Sequence, residues 1–172
     1  MGLRLIIGGA RSGKSAHAQS LAETEAARRG GVPVMIATAE ALDDEMRDRI
    51  ARHRAERGPA WRTVETPLDV AGAITRLGPA DCAVVDCLTL WLSNLMFAER
   101  ELEAATEVFL AAAASATAEV ILVSNEVGMS IVPENALARR FRDEAGRLNR
   151  RCAEAAGEVI VMFAGIPLQL KG

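Results

Sequence analysis

The octapeptide "GGARSGKS" (residues 8–15) decides how the rest of the chain is interpreted. It follows the short apolar run "LRLII" at residues 3–7 and precedes a helical pattern at residues 15–29. It fits G-x-x-x-x-G-K-[ST] without a gap, with Lys14 and Ser15 in the last two positions. Small residues let the backbone turn its N–H groups toward phosphate oxygens, and the helix N-terminus adds partial positive charge. A strand, this loop and a helix in that order predict a phosphate-binding P-loop.

Two side chains of this loop are predicted to bind the nucleotide phosphates and their metal ion. Lys14 is predicted to reach the β- and γ-phosphates of a nucleotide, and the Ser15 hydroxyl is predicted to hold Mg²⁺. We favour nucleotide binding over a chance glycine turn, because the motif is complete and its flanking strand and helix are in place. The loop residues expected to contact the nucleotide are Gly8, Gly9, Ala10, Arg11, Ser12, Gly13, Lys14 and Ser15.

Apolar runs of strand length alternate with amphipathic runs of helix length along the rest of the chain. Predicted strands cover residues 3–7, 32–38, 61–65, 82–86, 119–124 and 158–164. Predicted helices cover residues 15–29, 43–56, 67–77, 88–96, 99–116 and 135–156. Continuous Val, Ile and Leu strands between helices indicate a mostly parallel sheet covered by helices on both faces. The sequence therefore predicts an α/β, three-layer P-loop fold of the RecA-like kind, with residues 1–172 in a single domain.

Composition narrows the class of protein. The 172 residues are 50% apolar and 25% charged, as in a globular domain, and the net charge of −3 argues against nucleic-acid binding. Only Lys14 and Lys171 are lysines; the other basic side chains are arginines, whose planar forks suit phosphate groups. Cys82, Cys87 and Cys152 form no C-x-x-C pair and are predicted to be reduced, buried thiols. No signal peptide and no membrane span are recognisable, so we expect a cytoplasmic protein.

Polar side chains follow several predicted strands, at the sheet edge where ligands of α/β proteins bind. Asp86 ends "CAVVD", where it would act on the metal or phosphate side of a ligand, cap the next helix, or do both; the metal or phosphate role is favoured. Glu65 ends "WRTVE" in a similar way, and the Thr38 hydroxyl would either contact the nucleotide or cap its strand. Glu126, after "VILVSN", is equally compatible with a site and with a turn. The predicted metal ligands are therefore Ser15 and Asp86.

His53 lies in "RIARHRAERGPAW" (residues 49–61), among four arginines. Leu42, Met46, Ile50 and His53 share one face of the predicted helix, so the imidazole continues an apolar stripe. A neutral imidazole is a good nucleophile, and nearby guanidinium groups lower its pKa and can neutralise a transferring phosphate. The alternative is a helix-end histidine that packs against the sheet, which these residues by themselves favour.

The other histidine and the arginine-rich segment 138–151 have simpler explanations. His17 is expected to pack or to face solvent on the first helix, and no second His or Cys stands at the spacing of a zinc site. The arginines of residues 138–151 are expected to form a solvated face, with Asp143 and Glu144 as ion-pair partners. An interface or a surface for an anionic substrate is the less favoured alternative.

Three motifs together are more specific than any one of them. "GGARSGKS" (8–15), "IATAEALDDEMRDRIARHRAERGPAWRTVE" (36–65) and "LVSNEVGMSIVPENALARRFRDEAGRLNR" (122–150) resemble the bifunctional adenosylcobinamide kinase / adenosylcobinamide-phosphate guanylyltransferase family of cobalamin biosynthesis. The first motif is generic to P-loop proteins. The aspartate pair and histidine of the second, and N-E-V-G and V-P-E-N of the third, are specific to the family. The resemblance covers nearly the whole chain.

The resemblance implies two reactions. The hydroxyl of the corrinoid's aminopropanol arm takes the γ-phosphoryl group of ATP or GTP; GTP then donates GMP to that phosphate, giving adenosyl-GDP-cobinamide and pyrophosphate. The second reaction is implied to pass through a GMP-histidine at His53, with Lys14 as the other catalytic residue. Besides residues 8–15, the implied nucleotide contacts are Ala37, Thr38, Ala39, Arg54, Ala55, Glu56, Arg57, Glu65 and Asp86.

The resemblance also bears on the metal and on assembly. Some family members have Glu where this chain has Asp86, so the carboxylate is shorter here but carries the same charge. The family tends to form trimers, which implies a homo-oligomer whose other partners are nucleotides and a corrinoid. Two alternative functions fit less well: a plain small-molecule kinase with a structural histidine, and a regulatory nucleotide switch, for which the sequence shows no partner-binding tail.

Overall fold

The computed structural model describes residues 2–40, 44, 47–48, 51, 55 and 57–172. Within these residues, one sheet contains the strands β1 (Leu3–Gly8), β2 (Pro33–Ala37), β3 (Arg62–Glu65), β4 (Cys82–Asp86), β5 (Glu119–Asn125), β6 (Glu158–Phe163) and β7 (Ile166–Lys171). The helices with described bounds are α1 (Lys14–Arg29), α2 (Val70–Thr75), α3 (Leu88–Phe97), α4 (Leu102–Ser115) and α5 (Ala136–Ala155). The predicted helix at 43–56 lies mostly outside the described residues, although those of its residues that are described (44, 47, 48, 51 and 55) are helical and exposed.

The sheet order is β3-β2-β4-β5-β1-β6-β7, with every neighbouring pair parallel except β6 and β7. This confirms the predicted, mostly parallel sheet. β5 lies between β1 and β4, because Val123 is the register partner of both Ile6 and Asp86. The carboxyl ends of the strands from β3 to β6 therefore share one edge, and that edge contains the loop of residues 8–15.

Helices cover both faces of the sheet, as the sequence predicts. On one face α1 buries Ala18, Ala22 and Ala26, whose small side chains let the helix approach the sheet closely. On the other face α2 to α5 enclose a larger core, in which the rings of Trp91 and Phe109 lie 4.9 Å apart between centroids. None of the helices in the described part of the chain has both the length and the apolar character needed to cross a membrane.

The antiparallel β7 corrects one prediction. The sequence pattern predicts residues 158–164 as the last strand, and this is wrong because the chain turns back and adds an edge strand. The turn residues Ala164 and Gly165 have φ of 52° and 81°, the positive values that two-residue hairpin turns favour. Alanine is uncommon at positive φ, so "AG" gives no turn signal. The alternation of Ile166, Leu168 and Leu170 was the available sign of a strand.

Two predicted helices begin later than the sequence pattern suggests. α2 begins at Val70 and not at Pro67, because the Asp69 side chain caps it by accepting a hydrogen bond from the Gly72 N–H at 2.8 Å. α4 begins at Leu102 because Glu99, with φ of 52°, lies in the turn that follows α3. Both differences arise from capping and turn geometry, which hydrophobic periodicity does not report.

Candidate active site at the carboxyl edge of the sheet

Two glycines allow the loop of residues 8–15 to form. Gly13 is the residue before α1 and has φ of 91°, a conformation that side chains with a Cβ rarely adopt. A Cβ on Gly8 would lie 2.5 Å from the backbone oxygen of Met162 and 2.9 Å from Ser12 Oγ. The backbone of β1 can therefore meet β6 and curl into the loop only with glycine at position 8.

Lys14 is folded over this loop. Lys14 is the first residue of α1 and is only 7% exposed. The Nζ group donates hydrogen bonds to the Gly9 carbonyl oxygen at 2.5 Å and to Ser12 Oγ at 3.5 Å. The cation is thus held at the mouth of the loop, where phosphate oxygens would replace these neutral acceptors. Ser15 follows it on the first turn of α1 and is half-buried.

Asp86 lies at the same edge of the sheet. It ends β4, two strands from β1, which at about 4.8 Å per strand places the two strands roughly 10 Å apart. The N-cap of α3 is Cys87, so Asp86 is not the capping residue that the alternative interpretation required. Among the described residues, no hydrogen bond or ion pair engages its half-buried carboxylate. This leaves the carboxylate free to serve a ligand at the edge.

Ser15 and Asp86 fit Mg²⁺ in their chemistry. A hydroxyl and a carboxylate are hard oxygen donors, and Mg²⁺ is usually bound by one or two such groups together with phosphate oxygens and water. Both residues are half-buried, so water can reach them.

Thr38 has a different environment from the one that the sequence suggests. It is fully buried, and its hydroxyl donates to the Cys87 carbonyl oxygen at 2.8 Å and accepts from the Cys87 N–H at 2.9 Å. Asn94 Nδ2 donates to the backbone oxygens of Thr38 at 2.8 Å and Pro67 at 3.1 Å. This geometry favours the strand-end role over direct nucleotide contact. The neighbouring Ala37 and Ala39 are half-buried at the edge.

A group of polar side chains behind the loop was missed by the sequence interpretation. Asn125 is the register partner of Gly8, and its Nδ2 donates to Thr89 Oγ1 at 2.7 Å. Asn149, buried on α5, donates to the Asn125 backbone oxygen at 3.1 Å and accepts from Ser124 Oγ at 2.6 Å. These bonds tie β5, α3 and α5 together beside the loop. The available signal was Asn149, an amide at a core position of an amphipathic helix.

Glu126 follows this group and closes a turn. Its N–H donates to the Gly8 carbonyl oxygen at 3.0 Å, and its Oε1 accepts from the Gly128 N–H at 2.7 Å. Of the two predicted alternatives for Glu126, these bonds favour the role in a turn over a role in the site. Glu65 ends β3 as an exposed residue, in register with Ala37. It lies at the carboxyl edge but two strands beyond β4.

The predicted nucleophile, His53, lies outside the described residues. The same is true of Arg54 and Glu56, so the roles of all three stay predictions. Of the same segment, Ala55 is exposed and helical, and Arg57 is half-buried after it.

The arginine-rich helix α5 forms the predicted ion pairs. Arg142 NH2 lies 3.0 Å from Asp143 Oδ1, and Arg147 NH1 lies 2.6 Å from Glu144 Oε1. The partners named from the sequence are thus confirmed, and they favour a solvated face. In each pair one side chain is exposed and the other is half-buried. Ion pairs at a protein surface typically contribute less than about 1 kcal/mol each to stability.

The three cysteines are free, buried thiols, as predicted. Burial raises the pKa of Cys82 and of Cys152 to about 12. Burial and the charge of Asp86 also raise the pKa of Cys87, so this thiol stays protonated at neutral pH and is a poor nucleophile.

The fold is shared with solved P-loop proteins. The flagellar accessory protein FlaH from Methanocaldococcus jannaschii superposes with a TM-score of 0.54 at 15% identity, over 99% of this chain and 78% of that one. A second solved structure, an ATPase domain, gives a TM-score of 0.53 at 12% identity, over 94% of this chain and 69% of that one. Together with the loop of residues 8–15, the sheet order defines a P-loop NTPase fold.

Sequence comparison then gives the family. Residues 4–170 match the family described as cobinamide kinase / cobinamide phosphate guanyltransferase, and the chain belongs to it. It is 46% identical to the bifunctional adenosylcobalamin biosynthesis protein CobP of Pseudomonas aeruginosa, over 98% of this chain and 96% of that one. It is 42% identical to CobU of Salmonella typhimurium, over 97% of this chain and 98% of the relative.

Proposed function

We propose that this protein phosphorylates adenosylcobinamide with ATP or GTP and then transfers GMP from GTP to adenosylcobinamide phosphate. The observation that carries the proposal is family membership over residues 4–170, joined to a complete phosphate-binding loop. The predicted regulatory switch and the plain kinase lack comparable support, because the relatives are described as bifunctional proteins. Residues 1–172 would act as a single domain that performs both reactions.

In the kinase reaction, the corrinoid hydroxyl attacks the γ-phosphorus and the nucleoside diphosphate leaves. Negative charge moves among the phosphate oxygens during this transfer, and Lys14 at the mouth of the loop would neutralise it. The N–H groups of residues 8–15 and the N-terminus of α1 hold the phosphates that do not move. Ser15 and Asp86 would hold Mg²⁺, which when bound supplies further positive charge to the phosphate oxygens.

In the second reaction, His53 would attack the α-phosphorus of GTP and expel pyrophosphate, forming a P–N bond to GMP. The corrinoid phosphate would then attack this phosphorus, forming the diphosphate and releasing the imidazole. Two steps avoid bringing the anionic corrinoid phosphate against the anionic GTP, because pyrophosphate leaves first. The arginines of residues 49–57 would neutralise the α-phosphate during both steps.

The direct test is incubation with adenosylcobinamide, GTP and Mg²⁺, followed by mass analysis of the corrinoid. The proposal predicts a product heavier by a phosphoryl group and then one heavier by a further GMP. A corrinoid that gains only the phosphoryl group would support the plain kinase. GTP hydrolysis with an unchanged corrinoid would support a switch.

We also propose a homotrimer, on the basis of the family resemblance. The hairpin of β6 and β7 supports contact between copies, because its side chains Phe163, Ile166 and Leu168 are 79%, 67% and 58% exposed at an edge of the sheet. Exposed apolar edge strands are surfaces that proteins usually cover. Sedimentation velocity of the protein checks this state, and a monomer at micromolar concentration would contradict it.

A further inference from the structure

A second exposed apolar surface surrounds the segment between β5 and α5. We call it the loop–cleft surface, and it consists of Phe97, Met129, Ile131, Val132 and Leu137. Met129 and Ile131 are 92% and 94% exposed, and Phe97 is 74% exposed. Phe97 and Leu137 line one cleft, and Met129, Ile131 and Val132 belong to the chain segment that leads to it. Exposed apolar side chains grouped in one region are typical of binding sites in soluble proteins.

The backbone that presents these side chains is held in place by the protein itself. Gly128 N–H donates to Glu126 Oε1 at 2.7 Å, and Ser130 Oγ donates to the Val127 carbonyl oxygen at 3.3 Å. At the far end of the segment, Arg139 NH1 donates to the carbonyl oxygens of Pro133 and Glu134. The outward position of Met129 and Ile131 therefore belongs to a supported loop.

Next to this loop, the helices α3 and α5 form a cleft of about 260 Å³. Its apolar walls include Met96, Phe97, Leu137 and Phe141, and its polar side chains are those of Ser93 and Asn135. Asn135 Oδ1 accepts from the Ala138 N–H at 3.1 Å, which leaves its NH₂ group as a donor. All the side chains that line the cleft are uncharged.

The loop–cleft surface is continuous with the phosphate-binding loop. The segment begins at Glu126, whose N–H donates to the Gly8 carbonyl oxygen at 3.0 Å, and it ends at Asn135, which lines the cleft. One end of the segment thus borders the first residue of the nucleotide loop, and the other borders the apolar cleft. A ligand that covered the whole segment would therefore extend from the cleft to the phosphate-binding loop.

We infer that the loop–cleft surface binds the corrin ring of the substrate and directs its aminopropanol arm toward the phosphate-binding loop. This inference rests on the proposed function. A corrin ring is large and carries methyl groups and uncharged carboxamides around its rim. Apolar side chains beside neutral amide and hydroxyl groups match that rim, whereas an anionic ligand would require cations. The cleft takes part of the rim, and Met129 and Ile131 cover the rest of one edge.

A second copy of the chain is the competing occupant. A cyclic trimer buries two different patches on each copy, so the β6–β7 hairpin would need a complementary surface elsewhere on the chain. The loop–cleft surface adjoins the nucleotide loop, where a permanently bound copy would obstruct a bulky substrate. The position therefore favours the corrinoid.

The test compares Ile131→Ser and Met129→Ser with Val108→Ser, a control at a 61% exposed valine on α4. For each variant we would measure the KM for adenosylcobinamide and for GTP in the kinase reaction. Labelling by α-labelled GTP without corrinoid reports the nucleotide site separately. Each loop variant should raise the corrinoid KM about tenfold, equivalent to ~1.4 kcal/mol. The GTP KM and the labelling should match the wild type, as should every property of the control.

An unchanged corrinoid KM in both loop variants would overturn the inference. A lower sedimentation coefficient together with a raised KM for both adenosylcobinamide and GTP would assign the surface to a second copy. That result would overturn the inference as well. Failure of the proposed function would show itself differently, as a wild type that leaves the corrinoid unmodified. Equilibrium dialysis of the coloured corrinoid against wild type and variants would then decide the binding surface without any turnover.

Discussion

Thr38 and Cys87 hold each other through two reciprocal hydrogen bonds across the ends of β2 and β4. The Thr38 hydroxyl donates to the Cys87 carbonyl oxygen at 2.8 Å and accepts from the Cys87 N–H at 2.9 Å. Cys87 is the N-cap of α3 and directly follows Asp86, so one threonine positions both the start of the helix and the carboxylate before it. Thr38 therefore affects the site through the backbone that carries Asp86.

Thr38→Val should lower stability more than Thr38→Ser does. Valine preserves the shape but leaves the buried Cys87 N–H without its acceptor, at a cost of about 1–3 kcal/mol. Serine keeps the hydroxyl and loses one buried methyl group, worth about 0.8 kcal/mol. Thermal unfolding of both variants checks the order. A normal melting temperature for the valine variant with a raised nucleotide KM would show instead that the hydroxyl contacts the nucleotide.

Gly8→Ala and Gly9→Ala should differ in stability although they are adjacent. The new Cβ at position 8 would meet the Met162 backbone oxygen at 2.5 Å, whereas nothing lies within 4 Å at position 9. Overpacking of this kind costs about 1–3 kcal/mol, which for a chain of this length lowers Tm by roughly 2–4 °C per kcal/mol. Differential scanning calorimetry of the two variants measures the difference, and equal melting temperatures would contradict the geometry.

Lys14→Ala should abolish most of both activities if one loop serves both nucleotides. Removing a charge that stabilises the transition state typically lowers the rate by roughly 10²–10³-fold. Lys171→Ala is the matched control, because that lysine binds backbone oxygens of Ala153 and Glu154 at the end of α5. Steady-state rates of both reactions give the answer. A variant that loses only the kinase reaction would indicate a second nucleotide site.

Asp86→Asn should slow both reactions, with partial recovery at higher Mg²⁺. The change keeps the side-chain size and removes the charge that would hold the ion or its water ligands. Because Cys87 and not Asp86 is the N-cap of α3, the melting temperature should stay close to that of the wild type. Mg²⁺ titrations of the initial rate test the role. Full activity with a lowered melting temperature would assign Asp86 a structural role.

His53→Ala should lose GMP transfer and keep substantial kinase activity, because in the kinase reaction the substrate hydroxyl is the nucleophile. His17→Ala, at a half-buried position on α1, is the control. Wild-type protein incubated with α-labelled GTP should carry label on a denaturing gel run without acid, since the P–N bond is acid-labile. Label on the His53 variant, or none on an active wild type, would refute the assignment.

The pH dependence of GMP transfer offers a second measurement on the same residue. Protonation removes the nucleophilic lone pair, so transfer should fall as the pH drops through the pKa of His53. An unperturbed histidine has a pKa of about 6.5, and nearby positive charge would lower the pKa of an imidazole. The rate should therefore be constant above neutral pH and decline below it.

The sequence predicts the phosphate-binding loop and the central strands well because their signals are local. Residues 8–15 contain a complete motif, and strands buried on both faces appear as continuous apolar runs. By contrast, the bonds between Thr38 and Cys87 join residues on different strands that no short pattern links. The same holds for Asn125 and Thr89, which meet only because β5 and β4 are neighbours.

The β6–β7 hairpin and the carboxylates of Glu126 and Asp86 show a second reason why sequence patterns miss some features. Ala164 adopts positive φ because β7 pairs with β6, and the hydrogen bonds of that pairing stabilise the turn. The two turn residues by themselves do not predict this pairing. Glu126 and Asp86 both follow strands in the same way in the sequence. Only the fold shows that the Glu126 side chain accepts from a nearby backbone N–H while that of Asp86 caps nothing.

The position of β1 in the sheet has a consequence for biosynthesis. A ribosome makes β1 and its loop before the other strands of the sheet, yet the neighbours of β1 are β5 and β6, with Leu3 opposite Val120 and Arg4 opposite Glu158. The loop therefore lacks its supporting strands until β6 has been translated. Pairings so distant in sequence form slowly. Nucleotide can stabilise only chains that have reached this late stage, because a ligand shifts folding only through the state that binds it.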